Sequence, residues 1–374
     1  MSGARGSVPL YLGFFLLGVV GVLLGPILPE LEERWQISHA EAGVLFAAQF
    51  GASASGSLLS TVSLRASLTT AYPLMALGLL ILATGSWGTA PSALVLVGLG
   101  FGLCLPATNL VVAAAHTDRR GAALSTLNMV FGLGAVSCPL LLAVLAGRLP
   151  TTRVLWALAL ALLVAGGLVA ARLPVGRSTA PAERARGTID PTLLVALALT
   201  LFFYVGSENA IAGWVITLGD EVGGRRAASS LLLGSLFWGA QVMGRGLAPF
   251  VLRRVSEHRL FGLLLALAAV GVLIVLTAAT RPILAVGTVV AGLGLSALFP
   301  LTASRVSRAP AGRLGSGWVF AFGGLGGAAL PWLTGRLSGV TGSLQSAFLV
   351  PLIGLALVTA FGSLAAARQV RGET

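Results

Sequence analysis

The sequence predicts an all-α membrane protein, with twelve transmembrane helices arranged as two pseudo-symmetric six-helix bundles. Three observations carry this expectation. Of the 374 residues, 56% are apolar and only 10% are Asp, Glu, Lys or Arg, well below the ~25% charged content of a soluble domain. The 50 glycines suit helices whose backbones approach closely in lipid. The apolar residues also fall into twelve runs, each near the ~20 residues that cross a hydrocarbon core.

The first run, 8–29, follows Arg5 and ends in "GPILPELEERW". It stays hydrophobic too long for a signal peptide and lacks a small-residue cleavage pattern, so it reads as an uncleaved first helix. The second, 42–62, contains "GASASGS" (51 to 57), a string of small residues suited to helix packing. The third, 70–88, stops at the short break "SWGTAP", and the fourth spans 91–115. The fifth, 122–147, follows the pair Arg119 and Arg120, and the sixth, 153–173, closes the first half. Next comes "LPVGRSTAPAERARGTIDP" (173 to 191), the longest polar stretch in the chain. These boundaries give an N-terminal bundle over 1–173, a cytoplasmic linker over 174–190 and a C-terminal bundle over 191–374. The second half holds runs at 191–218, 228–250, 259–280, 283–305, 314–336 and 344–367, with a further packing string, "GGLGG", at 323 to 327.

Charge narrows the function. All 24 basic residues are Arg, so the chain has no P-loop lysine and no Schiff-base lysine, which argues against ATP-driven pumping by this chain alone. The net charge of +12 does not indicate a nucleic-acid partner, because the arginines sit between apolar runs instead of clustering with polar readers. With the N-terminus inside, the inner connections, linker and tails hold Arg5, Arg65, Arg119, Arg120, Arg172, Arg177, Arg184, Arg186, Arg245, Arg253, Arg254, Arg259, Arg305, Arg308, Arg313, Arg368 and Arg371. Those 17 face only seven outside: Arg34, Arg148, Arg153, Arg225, Arg226, Arg281 and Arg336. By the positive-inside rule this predicts a multi-pass protein of the cell membrane, a bacterial inner membrane, with both termini cytoplasmic. Cys104 and Cys138 lie in separate apolar runs, and His39, His116 and His258 fall in polar connections. No metal and no cofactor are expected. Nor do the spans contain a nucleophile, base and metal constellation, so an enzyme is not expected.

Two six-helix halves joined by a linker suit a secondary transporter built from repeats. The segment "FFYVGSENAIAGWVITL" (202 to 218) resembles the seventh-helix signature of fucose permease-like members of the major facilitator superfamily. Four further segments resemble that group's fifth, eighth, tenth and eleventh-to-twelfth helices: "RRGAALSTLNMVFGLGAVSCPLL" (119 to 141), "SLFWGAQVMGRGLAP" (235 to 249), "GLGLSALFPLTASRVS" (292 to 307) and "GGLGGAALPWLTGRLSGVTGSLQSAFLVPL" (323 to 352). The resemblance implies sugar and proton symport. It also implies an acid in the first helix and another in the fourth, and here "LYLGFFLLGVVGVLLGPILP" and "GFGLCLPATNLVVA" contain none. An uncoupled sugar facilitator is therefore an alternative. Proton-driven efflux of hydrophobic drugs is another, although the "GP" pattern of such antiporters is altered to Cys138 before Pro139 in "GLGAVSCPLLL".

Of twelve acids, eleven fall in connections or tails, and Glu208 alone lies within a predicted span. An ionisable group there is expensive unless it meets water or a partner. Glu208 is accordingly the candidate for both proton coupling and substrate binding, as a carboxylate that accepts hydroxyls and, once protonated, also donates. Tyr204, one turn earlier, and Asn209, directly after, join it, with Trp214 as an aromatic plane for a sugar ring. On the eighth helix Trp238, Gln241 and Arg245 form one stripe. Trp238 and Gln241 are expected at the substrate, whereas Arg245 is expected to snorkel toward the cytoplasmic interface. The first bundle offers the amides Gln49, Asn109 and Asn128, the last at a position where the resemblance implies a sugar-facing glutamine. Phe299, Trp318 and Phe322 are large enough to line or gate a cavity. The expected partners are a small neutral sugar or glycoside, a proton and the lipid bilayer, with the protein a monomer.

Overall fold

A computed structural model describes residues 8–60, 63–116, 119–173, 190–224, 228–308 and 312–373; of 307, 308, 312–317 and 370–373 only the backbone is described. The linker expected over 174–190 lies outside these residues except for Asp190, as do Arg5, Arg177, Arg184, Arg186, Arg225 and Arg226 and the side chains of Arg308, Arg313 and Arg371. Among the described residues every regular element is a helix. The first half contains α1 (Val8–Val22), α2 (Leu24–Trp35), α3 (His39–Leu59), α4 (Leu64–Thr84), α5 (Ala90–Ala115), α6 (Arg120–Leu145) and α7 (Thr151–Arg172). The second contains α8 (Pro191–Val222), α9 (Ala228–Val251), α10 (Glu257–Leu276), α11 (Arg281–Leu295), α12 (Leu298–Arg308), α13 (Gly312–Thr341), α14 (Leu344–Ala347) and α15 (Leu349–Glu373).

These helices occupy all twelve expected positions, with three positions split in two. Each split has the same local cause. Proline lacks the N–H that an α-helix directs at the carbonyl four residues back. Pro26 leaves Val22 without that bond where α1 ends and α2 departs at 43°. Pro300 does the same to Ser296 between α11 and α12, and Pro351 to Ala347 where α14 stops. Helix starts are set by ordinary capping: Ser63 Oγ accepts from the Ala66 N–H at 3.3 Å before α4, and Asp190 Oδ1 accepts from the Thr192 N–H at 2.8 Å before α8. Pro191 at the first position of α8 has no intrahelical bond to lose.

Among the described residues nine helical segments are long and apolar enough to cross a membrane, and the bent α1–α2 pair makes a tenth. Helices α9 and α13, at the eighth and eleventh positions, have 24 and 30 residues, or about 36 and 45 Å at 1.5 Å per residue. The twelve-span expectation is thus met by length and apolarity at ten positions and by helix length alone at two.

The chain falls into two compact units, Met1–Gln36 with Val44–Pro181, and Ile37–Gly43 with Ala182–Thr374. Within the first, α1 packs on α6, and α4 on both α5 and α7. Within the second, α8 packs on α13 and α15, and α10 on α11. The first-to-fifth and third-to-fourth pairings of one half therefore return as seventh-to-eleventh and ninth-to-tenth in the other. Glycine makes the crossings close. A side chain at Gly18 of α1 would run into the Phe131 carbonyl, and one at Gly134 of α6 into that of Phe15. The second half repeats the device, with Gly326 of α13 against the Phe202 carbonyl and Gly206 of α8 against that of Gly326. In "GASASGS" the role divides: Gly56 abuts Leu99 of α5, while a side chain at Gly51 would meet open space.

Candidate substrate and proton site

Helix α8 runs unbroken for 32 residues and carries Tyr204 and Glu208 one turn apart on one face. The Tyr204 hydroxyl donates to Glu208 Oε1 at 2.6 Å, and the Leu295 carbonyl lies 3.2 Å from the same hydroxyl. One phenolic hydrogen serves mainly the nearer and charged acceptor. From α9, Gln241 Nε2 donates to the same Glu208 Oε1 at 2.7 Å. The Gln241 amide oxygen accepts from Arg245 Nη2 at 2.7 Å, and Arg245 Nε donates to the Ser296 carbonyl at 2.9 Å. Arg245 Nη2 also lies 3.6 Å from Glu208 Oε1, within ion-pair range.

The Ser296 carbonyl is available because Pro300 cannot bond to it. The break between α11 and α12 thus supplies a backbone acceptor to a site that side chains alone would leave short. Tyr204 and Gln241 are fully buried, and Glu208 retains 9% of its surface. Its Oε1 is crowded with donors, whereas Oε2 accepts no hydrogen bond among the described residues. The cluster therefore holds one carboxylate oxygen in place and leaves the other without a hydrogen bond from a described residue. That oxygen accepts a hydroxyl while Glu208 is ionised and donates when protonated.

The structure brings Tyr204 and Glu208 together as the one-turn spacing predicts, and Gln241 reaches the same carboxylate from α9. It adds Arg245, which turns inward onto Gln241 and Ser296 instead of reaching for the interface. The other candidates have the following contacts. Trp214 is fully buried, donates Nε1–H to the Pro331 carbonyl at 2.9 Å, and meets the His39 ring edge-on at 5.5 Å; His39 in turn pairs with Glu221 at 2.7 Å. Trp238 packs edge-on against Phe237. Asn209, Asn109 and Asn128 each donate to the carbonyl one turn back on their own helix, at 2.8, 2.8 and 2.9 Å. Asn128 is exposed and Gln49 is buried, both on helices of the first half. On α13, Trp318 and Phe322 are exposed. Phe299 has its ring centroid 6.2 Å from that of Tyr204 and so borders the cluster. Sequence reasoning missed the carbonyls of Leu295 and Ser296; their one signal was Pro300 within an apolar run.

The model of the Major Facilitator Superfamily matches residues 10–196. No curated protein matches the sequence. Among solved structures, a bacterial homologue of the human lysosomal transporter Spinster aligns with a TM-score of 0.80 at 13% identity, covering 98% of both chains. The nucleoside transporter NupG aligns at 0.77 and 13% identity, over 96% of this chain and 99% of its own. The fucose:proton symporter FucP of E. coli aligns at 0.64 and 16% identity, over 98% and 99%. These likenesses are of fold, and they extend across both halves. Together with the family match over the first, they show that the chain is a membrane transporter belonging to the Major Facilitator Superfamily.

Proposed function

We propose that the protein is a secondary active transporter that moves a small neutral sugar or glycoside by alternating access, in symport with protons. The observation that carries this reading is the Glu208 cluster, in which one carboxylate oxygen is fixed by Tyr204 and Gln241 and the other accepts no hydrogen bond among the described residues. Such a group alternates between a hydroxyl acceptor and a protonated donor without losing its anchors. Glu208 is the proton-coupling residue in this reading and shares the substrate with Tyr204, Gln241 and Arg245. Trp238, Asn209, Asn109, Asn128, Gln49, Trp318 and Phe322 are secondary contacts, and Trp214 supports α13 through its bond to Pro331. The protein works as a monomer in a bacterial inner membrane, with an N-terminal bundle over 1–173, a linker over 174–190 and a C-terminal bundle over 191–374.

The test is uptake by reconstituted vesicles under an imposed pH difference. Labelled sugar should accumulate above its equilibrium level, and Glu208→Gln should abolish accumulation while retaining exchange of sugar for sugar. Equal levels inside and outside for the unaltered protein would reject proton coupling. That result would favour an uncoupled facilitator, a reading supported by the absence of any acid from α1 and α5. A thermal-shift screen over hexoses, deoxyhexoses, disaccharides and glycosides would identify the sugar, because a ligand bound only by the folded form raises its apparent stability.

A further inference from the structure

The two charges of the site balance only while Glu208 is ionised. Oε1 is occupied by the donors of Tyr204 and Gln241 and lies 3.6 Å from Arg245 Nη2. A coupling proton therefore has one open place, Oε2, where it leaves those bonds undisturbed. With the carboxyl neutral, Arg245 becomes the one formal charge in the cluster. Its Nε and Nη2 remain on the Ser296 carbonyl and the Gln241 amide oxygen, both neutral acceptors. Its Nη1 has no partner among the described residues, and 32% of the side chain is accessible.

No other described ionisable side chain is bonded to the cluster. Helix α8 brings Tyr204 and Glu208, α9 brings Arg245, and the α11–α12 break brings only carbonyls, with the Phe299 ring beside Tyr204. Neither α13 nor α15, which pack on α8, adds a described charged contact. A guanidinium stripped of its counter-ion inside a membrane protein is unfavourable. A ligand with one negative charge relieves this; a neutral one does not.

We propose that the proton-loaded site binds a monoanionic polyol, a sugar acid with a single carboxylate. The ligand carboxylate takes the Nη1 edge of Arg245 and its hydroxyls meet the Glu208 carboxyl, so that one proton and one monoanion occupy the site together. With Glu208 ionised, the same ligand faces a like charge and a satisfied guanidinium, and binding weakens. Proton and anion thus bind cooperatively, each raising the affinity for the other by the same factor. This inference rests on Glu208 as the sugar and proton site, and it extends the substrate class from neutral sugars to sugar acids.

The experiment is calorimetric titration of the purified full-length protein with D-glucuronate, D-galacturonate and D-gluconate, alongside the neutral D-glucuronamide and a panel of neutral hexoses. Titrations are run at about pH 5.5 and about pH 8, a range over which simple sugar carboxylates stay ionised. At least one acid should bind about tenfold more tightly at the lower pH, with a smaller change for its neutral counterpart. Glu208→Gln, which mimics the protonated carboxyl, should bind the acid at both pH values without that dependence. Arg245→Gln should lose acid binding and Arg245→Lys should recover part of it; if Arg245→Gln does not fold, the Glu208→Gln result decides. Neutral sugars binding with no pH-linked gain for any acid would overturn the sugar-acid inference and leave the Glu208 site standing. A pH-linked gain that persists in Glu208→Gln would overturn it as well. Failure of acids and neutral sugars alike would remove the reading of the cluster as a sugar site, and this inference with it.

Discussion

Gln241 is the residue on which the cluster turns, because its amide has opposite ends and its neighbours have opposite charges. The nitrogen faces Glu208 and the oxygen faces Arg245, and the reverse orientation would set two acceptors and two donors against each other. The ion pair across it is partly screened, since Arg245 keeps 32% of its side-chain surface. Removing one partner of a fully buried pair costs about 3–5 kcal/mol, and an exposed pair contributes at most about 1. Arg245→Leu should therefore lower stability by about 1–3 kcal/mol. Adding Glu208→Gln should restore part of the loss, because no buried carboxylate is then left unpaired. Thermal unfolding of the two single variants and the double variant in detergent measures the coupling. Strict additivity of the two effects would mean that the pair does not interact.

Elements carry the next part of the design, and proline shows how. Pro73, Pro106, Pro139, Pro249 and Pro331 sit inside continuous helices, whereas Pro26, Pro300 and Pro351 coincide with breaks. At Pro300 the freed carbonyl is used, because Ser296 O accepts from Arg245. Pro300→Ala supplies the missing N–H, which competes with Arg245 for that oxygen. The expected outcome is slower hydrogen exchange at the α11–α12 junction together with weaker ligand-induced thermal stabilisation. Faster exchange with unchanged ligand response would show that the break is not built for the site. Sequence alone does not separate the two groups of prolines, since every one of them leaves a carbonyl four residues back without its helical partner, and the surrounding packing decides whether the helix parts there.

For the molecule as a whole, the uneven distribution of arginine should fix its orientation. With both termini inside, the connection between α4 and α5 faces out and that between α9 and α10 faces in. A membrane-impermeant thiol reagent applied to intact cells should label Gly88→Cys and not His258→Cys, two exposed positions. The native Cys104 and Cys138 are buried and should give little background. Labelling of His258→Cys alone would invert the topology.

Much of this organisation was legible in the chain. Twelve apolar runs gave twelve helical positions, since a helix in lipid satisfies its own backbone and needs only length and apolarity. One acid within a predicted span pointed to Glu208, because charge is costly there. Tyr204 could be named from its position one turn before Glu208, and Gln241 as an amide within a predicted span. Arg245 was expected at the cytoplasmic interface and instead bonds Gln241 and Ser296, because so long a side chain can reach either an interface or a neighbouring helix. Trp214 was expected as an aromatic plane for a sugar ring, and its bond to the Pro331 carbonyl is a tertiary contact with no signal in the sequence.

By itself the sequence determined the class of solvent, the number of helical positions and the single carboxylate among apolar spans. The tertiary structure decided which helices meet and which prolines break them. It also decided that Tyr204 and Gln241 meet at one oxygen of Glu208, beside an inward-turned arginine. The physical reason is that apolarity and backbone hydrogen bonding act over one turn of chain, whereas a polar site is assembled from donors and acceptors as far apart as Tyr204 and Leu295, 91 residues along the sequence.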